Sequence, residues 1–516
     1  MDYLTSLQSW AAGTITNYSA NLFPPLPASL IQNYIFPGTA GATKVKLFAD
    51  IEAFLSPGAG VYLPGSHGFD EGTDRWQTYL NPEFAVVVQV ASEADVQKTV
   101  QYASAHAVPF LAVSGGHGTT EKLAQVQEGI GIVLRHLNHA RVAADGQSAT
   151  FGGGIIMKEV VNALDAVGKW TAGGACLCPG AVSILLGGGH GYLQGKYGLV
   201  SDNLISARVV LANGSLVTAS QDSHPDLFWA LQGAGHNFGI VTEYTIKIYD
   251  MPEKDEWAFE SILFPGDQVE RAFEVVNAMM ERQPAELTMY NTFVNNAEID
   301  AENTILMIAL VLQGTADELR QYSAPFHSLE PLTSQAGTAK YKELFQIFGT
   351  DLGGSQCRHG RTIMLFPIGL RRYNPQAQQR VYAHYNAMLK RHPEFSGSSF
   401  LFEGWPTQGK YRVEEATSAV AYRQDALLLS PLIMYTPNAA LDAIAVQFGE
   451  DLRKIVVDGI AAGDGEEDRL HAYVNYAHGG ETAQQVYGEG WRIEKLRRLK
   501  AMYDPSNAFG FSGPLV

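Results

Sequence analysis

The sequence predicts an α+β fold of two domains. The chain has 516 residues, of which 46% are hydrophobic, so it is long enough for two or three domains with their own cores. From about residue 46 to residue 250, strand and helix signals alternate and glycine clusters interrupt them. From about residue 251 to residue 470, the glycine clusters thin out and strand-like segments alternate with long helices. That second pattern predicts an antiparallel sheet backed by helices.

The first domain begins with clear strand and helix signals. The apolar run "AVVVQVA" at 85–91 has the length of a strand, and "PFLAVSG" further on predicts a second strand that ends in glycine. Between these runs, Ser92 stands as an N-cap with Asp95 three residues later, and helical periodicity follows. The order strand, helix, strand is therefore expected here.

Two hairpins and a short helix are expected further along the first domain. Asp145-Gly146 and Asn213-Gly214 each lie between short alternating apolar runs, which is the strongest local signal for a β-hairpin. The segment "PDLFWALQGAG" begins with Pro225 and ends with glycine, as a short helix does.

The second domain and the C-terminal segment alternate strands and helices. Predicted strands are "TILMIALVLQG", "RTIMLFPIGL" and "ALLLSPLIMY", and predicted helices are "DQVERAFEVVNAMMERQ" and "LDAIAVQFGEDLRKIVVDGI". The segment "WRIEKLRRLKAMYDPSNAFGF" predicts a basic amphipathic helix that Asp504-Pro505 stops. We therefore predict a wrapping segment over 1–45, a first domain over 46–250, a second over 251–470, and a final segment over 471–516 that returns to the first domain.

Composition limits the partners and the compartment. The formal net charge of −17 argues against nucleic acid or an anionic membrane surface as a partner, and no apolar run approaches the roughly 20 residues that cross a bilayer. The N-terminus lacks a signal-peptide pattern, so the protein is expected in the cytoplasm if Met1 is its native start, and in the secretory pathway otherwise. Three cysteines cannot form a disulfide framework, so packing is expected to supply the stability. We expect a monomer or a weak homodimer.

Glycine clusters at 115–118, 152–154, 187–191 and 233–239 all fall in the first domain. Because glycine lets backbone N–H groups approach an anion closely, several such loops in one domain suggest a long phosphorylated ligand. The sequence contains no G-x-G-x-x-G, no Walker A, no G-x-S-x-G and no HExxH motif. A Cys-x-Cys pair without a second thiol pair is weak evidence for zinc, so no metal is expected.

Four motifs in order resemble those of a known family. They are "VSGGHG" at 113–118, Cys176 with the downstream "GGGHG", "PDLFWALQGAGHNFGIVTEY" at 225–244, and "YVNYAHGG" with "LKAMYDPSNAF" near the end. The chain resembles the berberine-bridge-enzyme-like flavin oxidases, within the wider vanillyl-alcohol-oxidase group. This resemblance implies a two-domain PCMH-type FAD-binding fold, with a substrate domain of antiparallel sheet flanked by helices, and FAD as the cofactor.

The resemblance also assigns two covalent anchors. In this family the histidine of the S-G-G-H loop is bonded to the 8α-methyl carbon of FAD, and that position is His117. Many members also bond flavin C6 to a cysteine eleven positions before the G-G-G run, and that position is Cys176. The flavin is therefore expected to be bicovalent. Cys178 stands where other members have a small residue and is interpreted as a neighbour. An imidazole and a thiolate are the side chains best suited to attack an electron-poor isoalloxazine ring.

Further contacts with FAD are expected, and for the glycine loops the competing interpretation is the plain packing of a glycine-rich strand. The loop from Ser114 to Gly118 is expected to wrap the pyrophosphate, and the other segments to pass the ring and ribityl, the adenine, or the underside of the flavin. The predicted cofactor-binding residues beside the anchors are Ser114, Gly115, Gly116, Gly118, Gly180, Gly187, Gly188, Gly189, Gly239, Ile240, Val241, Tyr473 and Asn475.

The resemblance implies that the second tyrosine of Y-x-N-Y, Tyr476, is the catalytic base. A phenol has a pKa near ~10, so a cation, a second phenol or a hydrogen-bond donor is expected to lower it. If this segment is a strand, Tyr476 and Val474 share one face, while Tyr473 and Asn475 share the other. The competing interpretation is an ordinary aromatic strand. No carboxylate base can be located from the sequence.

Two other side chains have competing interpretations. Arg423 faces the substrate cleft or, as we prefer, forms a structural salt bridge. His190 stands where many members of the family have tyrosine, and is interpreted as a local variant.

The favoured function is an FAD-dependent oxidase with dioxygen as the acceptor. The second domain is rich in Phe, Tyr, Leu and Met, which favours an apolar or aromatic small molecule, an intermediate of natural-product biosynthesis. The alternatives are a cyclase that uses the flavin scaffold for a net non-redox ring closure, a non-catalytic flavin-binding storage protein, and a carbohydrate oxidase.

Overall fold

The computed structural model describes residues 39–461, 470–513 and 515–516. The chain divides into two units, Met1–Asp50 and Ile51–Val516, and every strand of the described residues lies in the second unit. Residues 1–38 lie outside the described residues, so the wrapping segment over 1–45 stays a prediction, and so do the domain boundaries.

Strands β1 to β11 form the first group of sheets. They are β1 (Gly60–Tyr62), β2 (Phe84–Gln89), β3 (Phe110–Val113), β4 (Gly129–Val133), β5 (Ala140–Val142), β6 (Ser148–Gly152), β7 (Lys169–Trp170), β8 (Leu204–Val210), β9 (Leu216–Ser220), β10 (Ile240–Lys247) and β11 (Tyr249–Asp250). The order β1-β2-β4-β3 makes a four-stranded sheet in which β4 runs parallel to β2 and β3. The order β5-β6-β10-β8-β9 makes an antiparallel sheet, and β7 pairs with β11.

The local signals in this group are confirmed. The Ser92 hydroxyl accepts the N–H of Asp95 at 3.3 Å, the Asp95 carboxylate accepts the N–H of Ser92 at 2.9 Å, and the helix runs over Glu93–Ala105. The Asp-Gly and Asn-Gly pairs turn β5 into β6 and β8 into β9. At those turns Gly146 has φ +65° and Gly214 has φ +77°, a conformation that glycine adopts without a steric penalty.

Strands β12 to β19 form one eight-stranded sheet with antiparallel pairing. They are β12 (Trp257–Phe264), β13 (Leu287–Val294), β14 (Ile305–Leu312), β15 (Thr333–Ala339), β16 (Thr362–Leu365), β17 (Ile368–Leu370), β18 (Ser399–Gly404) and β19 (Leu427–Tyr435). Their order is β15-β12-β14-β13-β18-β19-β16, with β17 on β19. An antiparallel sheet flanked by helices was expected here, and this is confirmed.

The described residues also form α-helices and short 3₁₀-helices. The α-helices are Thr39–Glu52, His67–Thr73, Glu93–Ala105, Met157–Asp165, Ala181–Leu186, Gln194–Tyr197, Pro225–Ala234, Val269–Met280, Ala316–His327, Tyr341–Ile347, Pro375–Arg391, Gln408–Tyr411, Ala439–Ala461, Ala483–Tyr487 and Trp491–Tyr503. Short 3₁₀-helices lie at Glu121–Gln125, Val200–Asn203, Gly235–Asn237, Gly266–Gln268, Ser355–Cys357, Pro393–Phe395, Glu415–Thr417 and Val474–Tyr476. In the part of the chain that is described, no helix combines the length and the apolar character needed to span a bilayer.

The two faces of the eight-stranded sheet have different neighbours. On β18, Phe400 and Phe402 pack into the core that the sheet forms with its helices, together with Phe273 and Phe448. The alternate residues of β18 point to the opposite face because side chains alternate along a strand. That opposite face carries Glu403 and is directed at the first group of sheets.

The C-terminal helix Trp491–Tyr503 packs against the helix Pro225–Ala234 and the turn that follows it. The Tyr503 hydroxyl donates to Asp226 at 2.8 Å, and the Lys495 ammonium lies 3.8 Å from the centroid of the Trp229 ring. The Lys500 ammonium donates to the carbonyl of Asn237 at 2.8 Å. These contacts hold the C-terminal helix in place beside the helix Pro225–Ala234.

Candidate active site

A large cavity lies where the first group of sheets faces the eight-stranded sheet. Its empty volume, counted out to its open mouth, is about 1620 Å³. Its wall combines the loop after β3, the segment that follows β7, four strands of the large sheet and the segment 473–477. Predicted site residues on this wall are Ser114, Gly115, Gly116, His117, Gly118, Cys176, Gly180, Tyr473, Asn475 and Tyr476.

His117 is held as a neutral imidazole. Its Nδ1 lies 2.9 Å from the carbonyl oxygen of Gly115, which can only accept, so Nδ1 carries the hydrogen. The ring stacks on Trp76 with centroids 5.0 Å apart. Burial lowers the pKa of His117 to about 4. Its Nε2 is buried and has no hydrogen-bond partner among the described residues, so it keeps a free lone pair beside the cavity.

Glycines bring the loop of His117 against the loop of Cys176. A Cβ on Gly115 would lie 2.3 Å from the backbone nitrogen of Gly180, and a Cβ on Gly180 would lie 2.4 Å from the hydroxyl of Ser114. Only glycine permits such an approach. The Ser114 hydroxyl is itself buried without a partner among the described residues. The close packing of these loops is what places His117 and Cys176 on one cavity wall.

Cys176 is the free thiol of the chain, and Cys178 is not a mere neighbour of it. Cys178 forms a disulfide with Cys357, 179 residues later. The interpretation of Cys178 as a mere neighbour of Cys176 is therefore wrong. The reason is tertiary: Leu177 donates its N–H to the carbonyl of Thr350 at 2.9 Å, which draws the 350–357 segment onto this loop. Burial raises the pKa of the Cys176 thiol to about 11.

The residues predicted near the adenine line an adjoining cavity. Gly239, Ile240 and Val241 form one of its sides, and Phe509 lies among the other lining residues. This cavity shares wall residues with the large one, including Ser114, so the two form one elongated space. The predicted contacts with adenine stay a prediction.

The run Gly187–Gly189 lies one layer behind the wall of the large cavity. A Cβ on Gly187 would lie 2.3 Å from the Oδ1 of Asn475, so Asn475 stands between this glycine and the cavity. Gly187 and Gly188 line a second, smaller cavity on the far side of Tyr473. None of these three glycines lines the large cavity, so their direct contact with the flavin stays a prediction.

The segment of the predicted base is a 3₁₀-helix, Val474–Tyr476, and the alternating strand considered for it is wrong. In a helical turn, Tyr473, Asn475 and Tyr476 all reach the cavity wall, which an alternating strand would not allow. The Asn475 amide donates to the Tyr473 hydroxyl at 2.7 Å and to the carbonyl of Ile184 at 3.1 Å. His236 donates to the Asn475 Oδ1 at 2.9 Å. Hydrogen bonds to Ile184 and His236 thus hold this turn in place.

Glu403 is the functional residue that sequence reasoning missed. The Tyr476 hydroxyl donates to its two carboxylate oxygens at 3.2 and 3.4 Å, and the Trp405 indole N–H lies 3.4 Å away. Burial raises the pKa of Glu403 to about 7, so this carboxyl changes its protonation state near neutral pH. The sequence did carry a signal for it. In "SSFLFEGW" the alternation of a strand puts Phe400 and Phe402 on one face and Glu403 on the opposite face.

The acidity of Tyr476 is opposite to the expectation. Burial and then the negative charge of Glu403 raise the pKa of Tyr476 well above 10, and the phenol of Tyr290 adds to this. No cation among the described residues lowers this pKa. Tyr476 is therefore a protonated phenol that donates a hydrogen bond to the neighbouring carboxylate.

The part of the wall beside Tyr476 is apolar or aromatic. One hydrophobic cluster behind this wall brings Trp76, Leu365, Leu401 and Leu432 together with the Tyr476 ring. Among the described residues that line the cavity, Glu403 is the one carboxylate.

Arg423 is structural, as preferred. Its guanidinium forms an ion pair with Asp202 at 2.5 Å and donates to the Ser418 hydroxyl at 2.7 Å, and both charged side chains are almost fully buried. His190 lies on the walls of both the large and the small cavity, in edge contact with Tyr473, and its Nδ1 lies 2.7 Å from the Gln194 side chain. Burial lowers the pKa of His190 to about 3.

Comparison with known proteins identifies the family. Residues 84–220 match the model of an FAD-binding domain, and residues 472–514 match the model described as berberine and berberine like. The chain is 39% identical over 475 residues to the FAD-linked oxidoreductase chyH of Penicillium rubens, which covers 91% of this chain and 93% of that protein. It belongs to the berberine-bridge-enzyme-like FAD-linked oxidoreductases. It is also 34% identical to the FAD-linked oxidoreductase anuG of Penicillium roqueforti, over 92% of this chain and 93% of that protein.

Solved structures share the fold of this FAD-linked oxidoreductase. A berberine-bridge-enzyme-like protein of Physcomitrella patens matches 91% of this chain and 99% of its own, with a TM-score of 0.78 at 18% identity. A glucooligosaccharide oxidase of Acremonium strictum with a 6-S-cysteinyl, 8α-N1-histidyl FAD matches 93% of this chain and 100% of its own, with a TM-score of 0.77 at 21% identity. The PCMH-type fold is thereby confirmed.

The described residues fit the FAD of this family. The elongated space suits an extended dinucleotide, and the buried Ser114 hydroxyl and His117 Nε2 on its wall lack partners, as groups that meet a ligand do. Arg75 adds a cation at the Gly118 carbonyl, to which it donates at 2.7 Å. Burial lowers the pKa of Arg75 only to about 10, so it stays charged at neutral pH.

Proposed function

We propose that this oxidoreductase is an FAD-dependent oxidase of an apolar or aromatic small molecule, with Tyr476 and Glu403 as its acid–base pair. The observation that carries the proposal is the hydrogen bond, 3.2 Å long, from the Tyr476 phenol to the Glu403 carboxylate in the wall of the FAD cavity. When bound, FAD supplies the acceptor for the substrate's hydride, and dioxygen removes those electrons to give hydrogen peroxide.

The proton moves along the pair. A phenol with a pKa well above 10 is a weak acid, and its conjugate base is scarce at neutral pH. The Glu403 carboxylate, with a pKa of about 7, is ionised in a large fraction of molecules and accepts the phenol's proton as Tyr476 takes one from the substrate. Tyr476 therefore acts as the group that touches the substrate, and Glu403 holds the proton that leaves it.

Two covalent anchors complete the proposal. His117 presents an uncharged imidazole and Cys176 presents a thiol, and both lie on the cavity wall. We assign them to the 8α-methyl and C6 positions of the flavin, as the family resemblance implies. The Acremonium strictum oxidase, with its cysteinyl and histidyl linkages, is a precedent for the same chemistry on the same fold.

The cavity favours an apolar substrate. The wall beside Tyr476 is built by leucines and aromatic rings, among them Leu365, Leu401 and Trp76. The leucine side chains of this wall offer no hydrogen-bond acceptors to a polyhydroxylated ligand, and Glu403 is the one carboxylate on the described lining. The relatives named as FAD-linked oxidoreductases are fungal proteins, which agrees with an intermediate of natural-product biosynthesis as the substrate.

The test is anaerobic mixing of the purified holoprotein with two substrate panels, aromatic or polyketide-like alcohols and neutral oligosaccharides. We expect bleaching of the flavin absorbance by the first panel, with one product per flavin, and continued turnover with peroxide formation once dioxygen is admitted. Bleaching by oligosaccharides alone would identify a carbohydrate oxidase. Anaerobic turnover beyond one flavin equivalent would identify a cyclase. Either result overturns the proposal.

A further inference from the structure

The three cysteines of the chain meet beside the large cavity. The sulfur of Cys176 lies 3.3 Å from that of Cys178 and 3.6 Å from that of Cys357. Cys178 and Cys357 are bonded to one another, and of the three only Cys176 lies on the cavity wall. One thiol therefore stands in contact with both sulfurs of a disulfide at the place where flavin attachment is proposed.

We propose that the Cys178–Cys357 disulfide protects Cys176, by keeping the two neighbouring sulfurs bonded to each other so that Cys176 remains a thiol. This inference rests on the proposed function for its biological purpose, because a free Cys176 is what attachment to the flavin requires. It assigns a chemical role to two residues outside the cavity wall.

The intact arrangement is unreactive. The distances from Cys176 to the two bonded sulfurs are nearly equal, so its thiol lies beside the disulfide bond and not in line with it. Thiol–disulfide exchange needs a thiolate that attacks one sulfur and displaces the other along the bond axis. Burial also holds the pKa of Cys176 at about 11, which keeps the thiolate scarce at neutral pH. The Cys176 thiol instead donates to the carbonyl of Thr350 at 3.5 Å.

Loss of either Cys178 or Cys357 makes the Cys176 thiol open to oxidation. Without Cys357, Cys178 becomes a second thiol 3.3 Å from Cys176. Dioxygen, the oxidant of the proposed reaction, can then take two electrons and two protons from the pair, which forms a Cys176–Cys178 bond and hydrogen peroxide. Without Cys178, the thiol of Cys357 at 3.6 Å offers the same reaction. In both cases the sulfur of Cys176 is no longer available at the cavity.

A purely mechanical role is the competing explanation. The 350–357 segment also carries the carbonyl of Gln356, which accepts the indole N–H of Trp76 at 2.8 Å, and Trp76 stacks on His117. A disulfide that only fastened this segment would position both anchors. Its loss would then have the same effect whichever of its cysteines was removed, and the same effect again when both were removed.

The experiment compares Cys178→Ser, Cys357→Ser and the double variant, each produced with FAD. The proteins are denatured, alkylated without reductant, digested and mapped by mass spectrometry. The readout is the state of Cys176: linked to flavin, alkylated as a free thiol, or bonded to a second cysteine. We expect each single variant to carry Cys176 in a disulfide and to lose its flavin linkage, and the double variant to carry Cys176 as the wild type does.

The double variant is the matched control, since all three variants lack the native disulfide and share any loss of rigidity. A second version, Cys178→Ala with Cys357→Val, repeats it with apolar side chains in case the serine pair does not fold. A free Cys176 in either single variant, or the same state of Cys176 in the single and double variants, overturns the inference. A wild-type Cys176 that is alkylated and carries no flavin would reject the C6 linkage, while the pairing pattern of the variants would still decide on the protection.

Discussion

The Tyr476 phenol donates a hydrogen bond of 3.2 Å to the Glu403 carboxylate, although 73 residues separate them. One residue lies in a 3₁₀-turn near the C-terminus and the other on strand β18 of the large sheet. Both line the large cavity. The pair joins the two groups of sheets at the point where proton transfer is proposed.

Replacement of Glu403 by Gln is expected to remove the proton acceptor and to lower kcat by about 10²–10⁴-fold, the usual contribution of a general base. In the wild type, kcat/KM is expected to rise with pH through a pKa of about 7, because the acceptor is the ionised carboxylate that exists above this pH. The Gln variant is expected to lose this limb. Steady-state rates between pH 5 and pH 9 would measure this pH dependence. The control is Glu260→Gln, because Glu260 is a buried carboxylate of β12 that pairs with His327. An unchanged limb in Glu403→Gln would reject Glu403 as the acceptor.

Replacement of Tyr476 by Phe is expected to lower kcat by about the same factor as Glu403→Gln, since each change breaks the same path of the proton. The double variant is expected to be little slower than either single one, because residues that act as a unit are not additive. Single-turnover flavin reduction under anaerobic conditions would measure the step. Tyr411→Phe, at an exposed tyrosine, serves as the control. Fully additive losses would show that the two residues act separately.

His117→Ala and Cys176→Ala are each expected to keep flavin on the denatured protein through the remaining anchor, and the double variant is expected to release it. Covalent attachment survives unfolding, whereas contacts with the cavity wall do not. Precipitation with acid, followed by absorbance and intact mass measurements, would decide this. The exposed His106→Ala should behave as the wild type. Complete release of flavin from both single variants would contradict a second tether.

Arg423→Leu is expected to destabilise the protein by about 3–5 kcal/mol, because it leaves the Asp202 carboxylate buried without its partner. The guanidinium and this carboxylate are 1% and 3% exposed. Denaturant unfolding followed by tryptophan fluorescence would measure the change. Arg320→Ala removes an ion pair with Asp317 that is exposed, and is expected to change stability by about 0–1 kcal/mol. Equal losses in the two variants would show that burial does not set the cost.

Local features of the first domain could be predicted from the sequence. The capping box of Ser92 and Asp95 and the two hairpins with Gly146 and Gly214 depend on backbone conformations within a few residues. The roles of His117 and Cys176 were implied by the family resemblance of their motifs, and the structure brings both residues to one cavity wall. Such features survive in a sequence because their physical causes are local.

Only the tertiary structure revealed three features of the site. They are the Glu403–Tyr476 hydrogen bond, the Cys178–Cys357 disulfide, and the position of Asn475 between Gly187 and the cavity. Each joins residues that are at least 73 positions apart, and no local pattern records which distant segment will pack there. The same holds for the pKa of Tyr476, which burial and the charge of Glu403 raise, although the sequence suggested that a neighbour would lower it. The sequence determined the loops and turns that present the reactive groups, while their pairing and their acidity were decided by packing, because burial and distance exist only in the folded chain.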